Sequence, residues 1–232
     1  MDKNSYNIND LKNIMNRLLG EDGCPWDKAQ DHSSLRKYLI EECYEAIEAI
    51  NNQDMENLKE ELGDILFQIV FHSKLAEDKG SFNFDDVVNE VSKKMIYRHP
   101  HVFSNESKDI KARSENWDKL KEKEKGYRSP KEILESVPKA LPSLIRAEKI
   151  IGKAYKYNMD SFDLASLSEE IHQLADMVDR VNIDHKIENM ELIGKLLINL
   201  TKFSFFLQLN ADFSLTNALE TYITKVEEKW YA

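Results

Sequence analysis

The residues with the clearest capacity for chemistry are acids that recur at helical spacing in the first third of the chain. Glu42 and Glu45 are three residues apart in EECYE, and Glu61 and Asp64 are three residues apart in ELGD. Residues three apart share one helix face, so two antiparallel helices joined by a short turn can point these carboxylates at one another. Glu41, four residues before Glu45, can join them from the rim.

Like charges gathered on one apolar seam repel one another, so such a cluster needs a cation to be stable. Oxygen ligands suit a hard divalent ion, which makes Mg²⁺ the expected metal and Mn²⁺ a possible substitute. An ion held there could bind phosphate oxygens, polarise a phosphorus centre and activate water. Without it, a chain with 32 Lys+Arg, 42 Asp+Glu and a net charge of −10 is a poor host for phosphates.

The acid pattern is short, and two solvated helix faces are the alternative interpretation. The pattern acid-acid-x-x-acid occurs in EECYE and in EELGD, close to what 42 acids in 232 residues produce by composition alone. Three observations favour a metal site. The flanking segments are strongly apolar, the acids fall on both partners of one predicted hairpin, and basic residues recur in fixed relation to them.

Basic residues follow the acids at helical spacing and could neutralise a polyphosphate. Lys94 and Arg98 are one turn apart on a predicted helix, and Trp117 and Lys121 are one turn apart on the next. Lys and Arg pair with phosphate oxygens, although most such side chains are solvated charges and most Trp side chains belong to the core. Further candidates for substrate binding are Lys28, Arg36 and Lys93.

The histidines indicate structural roles. RHPHVF places His99 and His101 in a predicted loop around Pro100, and no third nitrogen or sulfur ligand has suitable spacing for zinc. Glu169 and His172 form the only Glu-x-x-His, whereas a di-iron bundle needs two such motifs and two more glutamates. The motifs GxxxxGK[ST], GxGxxG, GxSxG and HExxH are also absent.

Helices must position these residues, and the pattern predicts an all-α protein. Only 7 Gly and 5 Pro occur, too few for the frequent turns of an all-β protein. Ser33 or Ser34, Asp54, and Asn83 or Asp85 are the predicted N-caps of the second, third and fourth helices. The helices are predicted over about 10–19, 34–51, 55–78, 83–98, 110–125, 167–182, 187–209 and 214–230, with another beginning near Pro142.

The termini, apolar stretches and cysteines predict a cytoplasmic protein. The N-terminus MDKNSYNIND is polar, and the most apolar stretch, Leu196 to Leu209, is shorter than the roughly 20 residues of a membrane span. Cys24 and Cys43 are the only cysteines and form no CxxC, so we expect reduced thiols. The acidic balance argues against nucleic acid as a partner, and we expect no membrane partner.

Two segments of the chain align with each other without a gap and predict an internal repeat. They are Glu61–Arg98 and Leu192–Lys229, and Gly63 precedes Lys94 by the same 31 residues that separate Gly194 from Lys225. The alternative is two amphipathic helix pairs that look alike by pattern.

Three parts of the sequence together resemble the MazG nucleoside triphosphate pyrophosphohydrolases. They are CPWDKAQDHSSLRKYLIEECYEAIEAI, LKEELGDILFQIVFHSKLAEDKGSFNFDDVVNEVSKKMIYRHPHVF and the W-x-x-x-K of Trp117 and Lys121. Tyr97 stands where that family usually has Arg. The resemblance implies an all-α fold of tandem four-helix-bundle-type modules, a homodimer, and Mg²⁺-dependent conversion of a nucleoside triphosphate and water to the monophosphate and pyrophosphate, as in nucleotide-pool housecleaning.

The resemblance also assigns roles by motif position. It makes metal ligands of Glu42, Glu45, Glu61 and Asp64, and makes Glu41 an accessory carboxylate that holds a second metal or orients water. Substrate-binding positions are then Lys94, Arg98, Trp117 and Lys121. The implied organisation is a catalytic module at 1–125, a linker at 126–142 and a degenerate second module at 143–232.

The second module departs from the acid pattern. Glu169 and Glu170 remain, but Gln173 stands at the third acid position, and Leu192 and Lys195 stand at the ExxD positions. A Lys there places positive charge where the cation should bind, so we expect the first module to catalyse. Two alternatives remain open: a narrow dUTP or dCTP pyrophosphatase, and a helical nucleotide-binding or interaction module without catalysis.

Overall fold

The computed structural model describes residues 5–103, 126–127 and 129–231, and every regular element in these ranges is a helix. The predicted all-α class is therefore confirmed. The contacts divide the chain into two compact units, Met1–Lys121 and Glu122–Ala232. The helix predicted over about 110–125, which carries Trp117 and Lys121, lies outside the described residues.

The first unit is built around one long helix. Its described helices are α1 (Ile8–Leu18), α2 (Pro25–Lys28), α3 (Arg36–Asn51), α4 (Met55–Asp78), α5 (Phe84–Arg98) and α6 (Pro100–Phe103). Helices α1, α3 and α5 each pack on α4. The core cluster contains Met15, Leu35, Val70 and Phe71, none of them more than 2% exposed, and burial of such side chains is the main stabilising contribution.

The second unit also has three helices packed on one long helix. Its described helices are α7 (Pro130–Glu135), α8 (Ser143–Lys156), α9 (Leu164–Val178), α10 (Lys186–Phe206) and α11 (Ala211–Trp230). Helices α8, α9 and α11 pack on α10, in the chain order in which α1, α3 and α5 pack on α4. Buried apolar side chains on this scaffold include Ile151, Leu167, Leu174 and Leu192.

Side-chain caps fix the beginnings of two helices as predicted. The Asp54 carboxylate accepts the backbone N–H of Asn57 at 3.1 Å at the start of α4. Asn83 and Asp86 form a reciprocal capping box at the start of α5. These contacts satisfy backbone donors that have no partner inside the helix.

The predicted serine cap of α3 is wrong. The Asp31 carboxylate accepts the backbone N–H groups of Ser33 at 2.8 Å and Ser34 at 2.7 Å, which holds both serines in a turn. Leu35 occupies the cap position without a side-chain cap, and the helix begins at Arg36. Burial of Leu35, which is 1% exposed, anchors this start in the core.

Three short helices lie in segments for which the sequence predicts no helix, among them RHPHVF and the linker 126–142. Each of α2, α6 and α7 begins with a proline, at Pro25, Pro100 and Pro130. Proline suits a first helical position because its ring fixes φ and its missing N–H would have no helical partner there. The predicted linker 126–142 therefore contains a helical turn.

The hydropathy of the helices bears on membrane insertion. Within the described ranges, no single helix is both long and apolar enough to cross a membrane. Helices α10 and α11 reach that length and composition only as a pair, and they are bent by 105° at the break between them.

Candidate metal centre

Helices α3 and α4 form a hairpin that places the predicted acids on facing sides. The turn spans residues 52–54, with Gln53 in the left-handed region (φ 56°) and the Asp54 N–H donating to the Ala49 carbonyl at 2.9 Å. Ala46 and Ala49 are 5% and 1% exposed, and such small side chains let α4 approach closely. Glu42 lies on the same stripe, four and seven residues earlier, so it faces α4.

Glu42, Glu45 and Glu61 form a group that we call the acid cluster. One carboxylate oxygen from each lies within 4.8 Å of the others. Glu61 is only 9% exposed, Glu42 is half-buried and Glu45 is exposed, so the cluster has a buried side and an open side. No other three His, Cys, Asp or Glu side chains come this close within the part of the chain that the structure describes.

The electrostatics of the acid cluster favour a bound cation. Burial raises the pKa of the Glu42 carboxyl above its ordinary value, and the charges of Asp64 and Glu45 raise it further. Burial also raises the pKa of Glu61, where Glu45 and Asp64 act in the same direction. Both shifts oppose the charged form, so a positive ion among these oxygens would relieve them. An oxygen-only set of this kind suits Mg²⁺ or Mn²⁺.

The other predicted acids lie outside the cluster. Asp64 is exposed and outside the group of three, although its charge raises the pKa of both Glu42 and Glu61. Glu41 is exposed and also outside the group. Glu60, which was not selected from the sequence, also raises the pKa of Glu61. Its signal was present, because EELGD has the same acid spacing as EECYE.

The predicted basic residues occupy different places. Lys94 and Arg98 are half-buried on α5, which packs on α4. The Lys28 ammonium donates to the carbonyl of Glu21 at 2.7 Å, and Arg36 is exposed at the start of α3. Neither Lys28 nor Arg36 forms an ion pair with the acid cluster within the described ranges. Trp117 and Lys121 lie outside those ranges, and Lys93 is exposed.

The histidines singled out from the sequence contact helix backbone. The His99 Nδ1 donates to the Met95 carbonyl at 2.6 Å at the end of α5, and the His99 and His101 rings lie 5.7 Å apart. The His172 Nδ1 donates to the Ser168 carbonyl at 2.6 Å. The contact of His99 agrees with the structuring role predicted for RHPHVF.

Comparison with known proteins places the acid cluster within a matched domain. The family model described as "MazG nucleotide pyrophosphohydrolase domain" matches residues 30–103. These residues include both helices of the hairpin and the helix that carries Lys94 and Arg98. A crystal structure titled "mazG-related protein from Thermotoga maritima" is 26% identical, covering 50% of this chain and 99% of that chain with a TM-score of 0.44.

Two curated relatives differ in how much of them the chain spans. The "Uncharacterized protein YabN" of Bacillus subtilis (strain 168) is 45% identical over 150 residues, which are 62% of this chain and 30% of that protein. The "Nucleoside triphosphate pyrophosphohydrolase/pyrophosphatase MazG" of Thermotoga maritima is 35% identical over 220 residues, which are 94% of this chain and 84% of that protein. The match to that relative extends through both units, and this chain belongs to the MazG family.

Proposed function

We propose that this chain hydrolyses nucleoside triphosphates to nucleoside monophosphates and pyrophosphate with a divalent cation, Mg²⁺ first. The observation that carries the proposal is the acid cluster, whose three carboxylates converge within the segment matched by the family model. The name of the Thermotoga maritima relative supports the same reaction. Housecleaning of the cytoplasmic nucleotide pool is the proposed role.

The donor set fits the proposed metal. Glu42, Glu45 and Glu61 would hold the ion, and Asp64 would complete the set from the open side, since its charge already acts on two of them. When bound, Mg²⁺ supplies charge neutralisation for the triphosphate and polarises its phosphorus centre. A cation held there would lower the raised pKa values of Glu42 and Glu61, because it would favour the charged carboxylates.

The remaining residues carry the substrate and the proton. Water attacks the α-phosphorus, the bond from that phosphorus to the α,β-bridging oxygen breaks, and pyrophosphate leaves. Glu41, which is exposed and directly precedes Glu42 in the sequence, would orient the water and accept its proton. Lys94 and Arg98 offset the negative charge that grows on the leaving group. Lys28, Arg36, Trp117 and Lys121 stay predicted substrate-binding positions.

The second unit is proposed to be a degenerate copy without catalysis. Its helices pack on α10 in the order seen on α4 in the first unit. Leu192, in the register of Glu61, is 7% exposed and provides no ligand. Lys195, in the register of Asp64, brings a positive charge.

A homodimer is proposed from apolar side chains that the first unit leaves uncovered. They lie on the two helices of the hairpin and are 37–58% exposed. A second copy of the chain would remove this surface from water, which favours association. The side chains are Ile47, Ile50, Leu62, Leu66 and Ile69.

One experiment tests the reaction. The purified chain is incubated with each of the common ribo- and deoxyribonucleoside triphosphates and Mg²⁺, and pyrophosphate, orthophosphate and nucleotide products are measured. We expect pyrophosphate and monophosphate from several substrates. Activity confined to dUTP or dCTP would support the narrow pyrophosphatase, and orthophosphate with diphosphate would indicate a different hydrolase. Absence of every product would support the non-catalytic module.

A further inference from the structure

The second unit holds a cavity of about 600 Å³ between α8 and the end of α10. This volume lies within the range of about 300–1,000 Å³ that small-molecule sites occupy. The cavity belongs to the unit that lacks the acid cluster, and all of its lining residues come from that unit. None of its lining residues belongs to the site proposed for hydrolysis.

Aromatic rings form the walls of the cavity. The ring centroid of Tyr155 lies 5.2 Å from that of Phe162 and 5.6 Å from that of Phe205, and Phe162 and Phe205 are 6.2 Å apart. Gly152 makes this arrangement possible, because a Cβ there would lie 3.2 Å from the Phe205 ring. Tyr155 and Phe206 remain 44% and 42% exposed, so part of each ring is accessible to a ligand in the cavity.

A carboxylate of fixed orientation stands at the edge of these walls. The Asn210 side-chain N–H donates to Glu148 Oε2 at 3.0 Å, while the Asn210 Oδ1 accepts the Phe213 N–H at 2.8 Å as the cap of α11. Asn210 thus holds Glu148 in place. A carboxylate can accept about four hydrogen bonds, and within the described part of the chain no second group donates to Glu148.

The turn after α10 brings this polar edge to the cavity. Gln208 adopts a left-handed conformation (φ 58°), and the Leu209 N–H donates to the Ser204 carbonyl at 2.9 Å. This closing bond reverses the chain directly after the helix and carries Leu209 and Asn210 onto the cavity wall. Hydrogen bonds of Leu209 and Asn210 therefore fix the polar edge of the cavity.

We propose that this cavity binds a nucleobase, presented by a nucleoside or a nucleotide. The flat face of the base stacks on the exposed aromatic rings of Tyr155 and Phe206, since every base offers such a face. The N–H edge of the base donates to Glu148, which makes this a charge-assisted hydrogen bond. Aromatic walls with one directed acceptor recognise a planar donor better than an aliphatic ligand.

Binding of the four common ribonucleosides and their 5′-monophosphates to the full chain tests the proposal. The titrations are followed by ligand-observed NMR and calorimetry in EDTA, so that no metal bridges a phosphate to the acid cluster. We expect saturable binding of at least one nucleoside. Equal affinity for its monophosphate would identify the nucleoside part as the ligand, and tighter binding of the monophosphate would identify the nucleotide.

Three variants localise the binding. Glu148→Gln keeps the shape of the side chain and removes its charge, and Phe206→Ala removes an exposed wall, so each is expected to weaken binding about tenfold. Glu228→Gln, an exposed acid on α11, is the matched control and should leave affinity unchanged. Circular dichroism verifies that each variant is folded. The proposal is overturned if no nucleoside or monophosphate saturates, or if affinity is the same in both cavity variants as in wild type.

Discussion

Glu61 in the first unit and Leu192 in the second occupy the same register of the predicted repeat, and both are nearly buried, at 9% and 7% exposure. The helix pair thus accommodates a leucine at this position, which is the side chain that burial favours. A glutamate there has a raised pKa because it is desolvated and faces other acids. A leucine suits this degree of burial in the second unit, which supports the proposal that Glu61 is present for chemistry rather than for packing.

A second pair of positions shows what the units share. Gln68 and Asn199 lie seven residues after Glu61 and Leu192, and they are 6% and 7% exposed. The side-chain carbonyl oxygen of each has no hydrogen-bond partner among the described residues. A buried amide thus recurs at one register of the predicted repeat, whereas the acids at the positions of Glu45, Glu61 and Asp64 occur in the first unit alone.

The largest effect is expected when acids of the first unit are neutralised. Asp64→Asn and Glu42→Gln, which keep side-chain volume, should lower pyrophosphohydrolase activity about 100-fold or more, because negative charge that would hold the cation is lost. Steady-state kinetics with Mg²⁺ and each substrate measure this. Lys195→Ala, in the register of Asp64 in the second unit, is the matched control and should retain activity within about twofold. A large loss of activity in Lys195→Ala would indicate that the second unit, not the first, catalyses the reaction.

The next largest effects are expected on stability, when Glu61 and Leu192 are each replaced by the residue found in the other unit. Leu192→Glu should lower the free energy of unfolding by about 2–3 kcal/mol, because it buries a carboxylate where no cation site exists. Glu61→Leu should instead raise the melting temperature in EDTA while abolishing activity. Thermal and urea unfolding monitored by circular dichroism measure both. Destabilisation by Glu61→Leu would contradict the view that Glu61 is there for chemistry.

A smaller effect is expected on the pH dependence of the melting temperature. The raised pKa of Glu61 sets its sign. An acid with a raised folded-state pKa holds its proton more tightly when folded, so its contribution to stability falls as pH rises through that pKa. In EDTA, the melting temperature of Glu61→Gln relative to wild type should therefore increase from pH 4.5, the ordinary pKa of this group, to pH 7. Mg²⁺ should cancel the difference at pH 7. A melting-temperature difference that stays constant from pH 4.5 to pH 7 would contradict a raised pKa of Glu61 in the acid cluster.

The smallest effect is expected from a surface ion pair that has no part in the proposed reaction. Lys12 Nζ lies 2.7 Å from Asp85 Oδ1 and joins α1 to α5, with side-chain exposures of 30% and 78%. Asp85→Asn should change the free energy of unfolding by less than about 1 kcal/mol, as exposed pairs generally do. Its activity should equal that of wild type. Denaturant unfolding in low and high salt measures the change, and an effect larger than that of Leu192→Glu would reverse the ranking.

Much of the acid cluster followed from spacing, because helix geometry places residues three apart on one face. Glu42, Glu45 and Glu61 converge as that rule predicts. Asp64 lies outside the group, because helical spacing gives the face of the helix but not the rotamer that would bring its shorter side chain to the other oxygens. The position of Lys28 depends on a hydrogen bond to the Glu21 carbonyl, which no periodicity reveals.

Helix boundaries followed the sequence where a side chain caps the backbone, as at Asp54 and Asn83. They departed from it where two local signals compete, as at Ser34, whose N–H is taken by Asp31. The aromatic cavity was not predictable, because it depends on how closely Phe205 approaches Gly152 across two helices. Contacts between distant segments of this kind carry no periodic signal.

The turn at residues 52–54 has a consequence for the choice of ion. It is so short that α3 and α4 cannot slide past each other, and Ala46 and Ala49 hold them close. The backbone positions that carry Glu42, Glu45 and Glu61 are therefore held close together. If the proposed ion binds there, we expect so compact a hairpin to favour the smaller Mg²⁺ over Ca²⁺, which takes more ligands at longer distances.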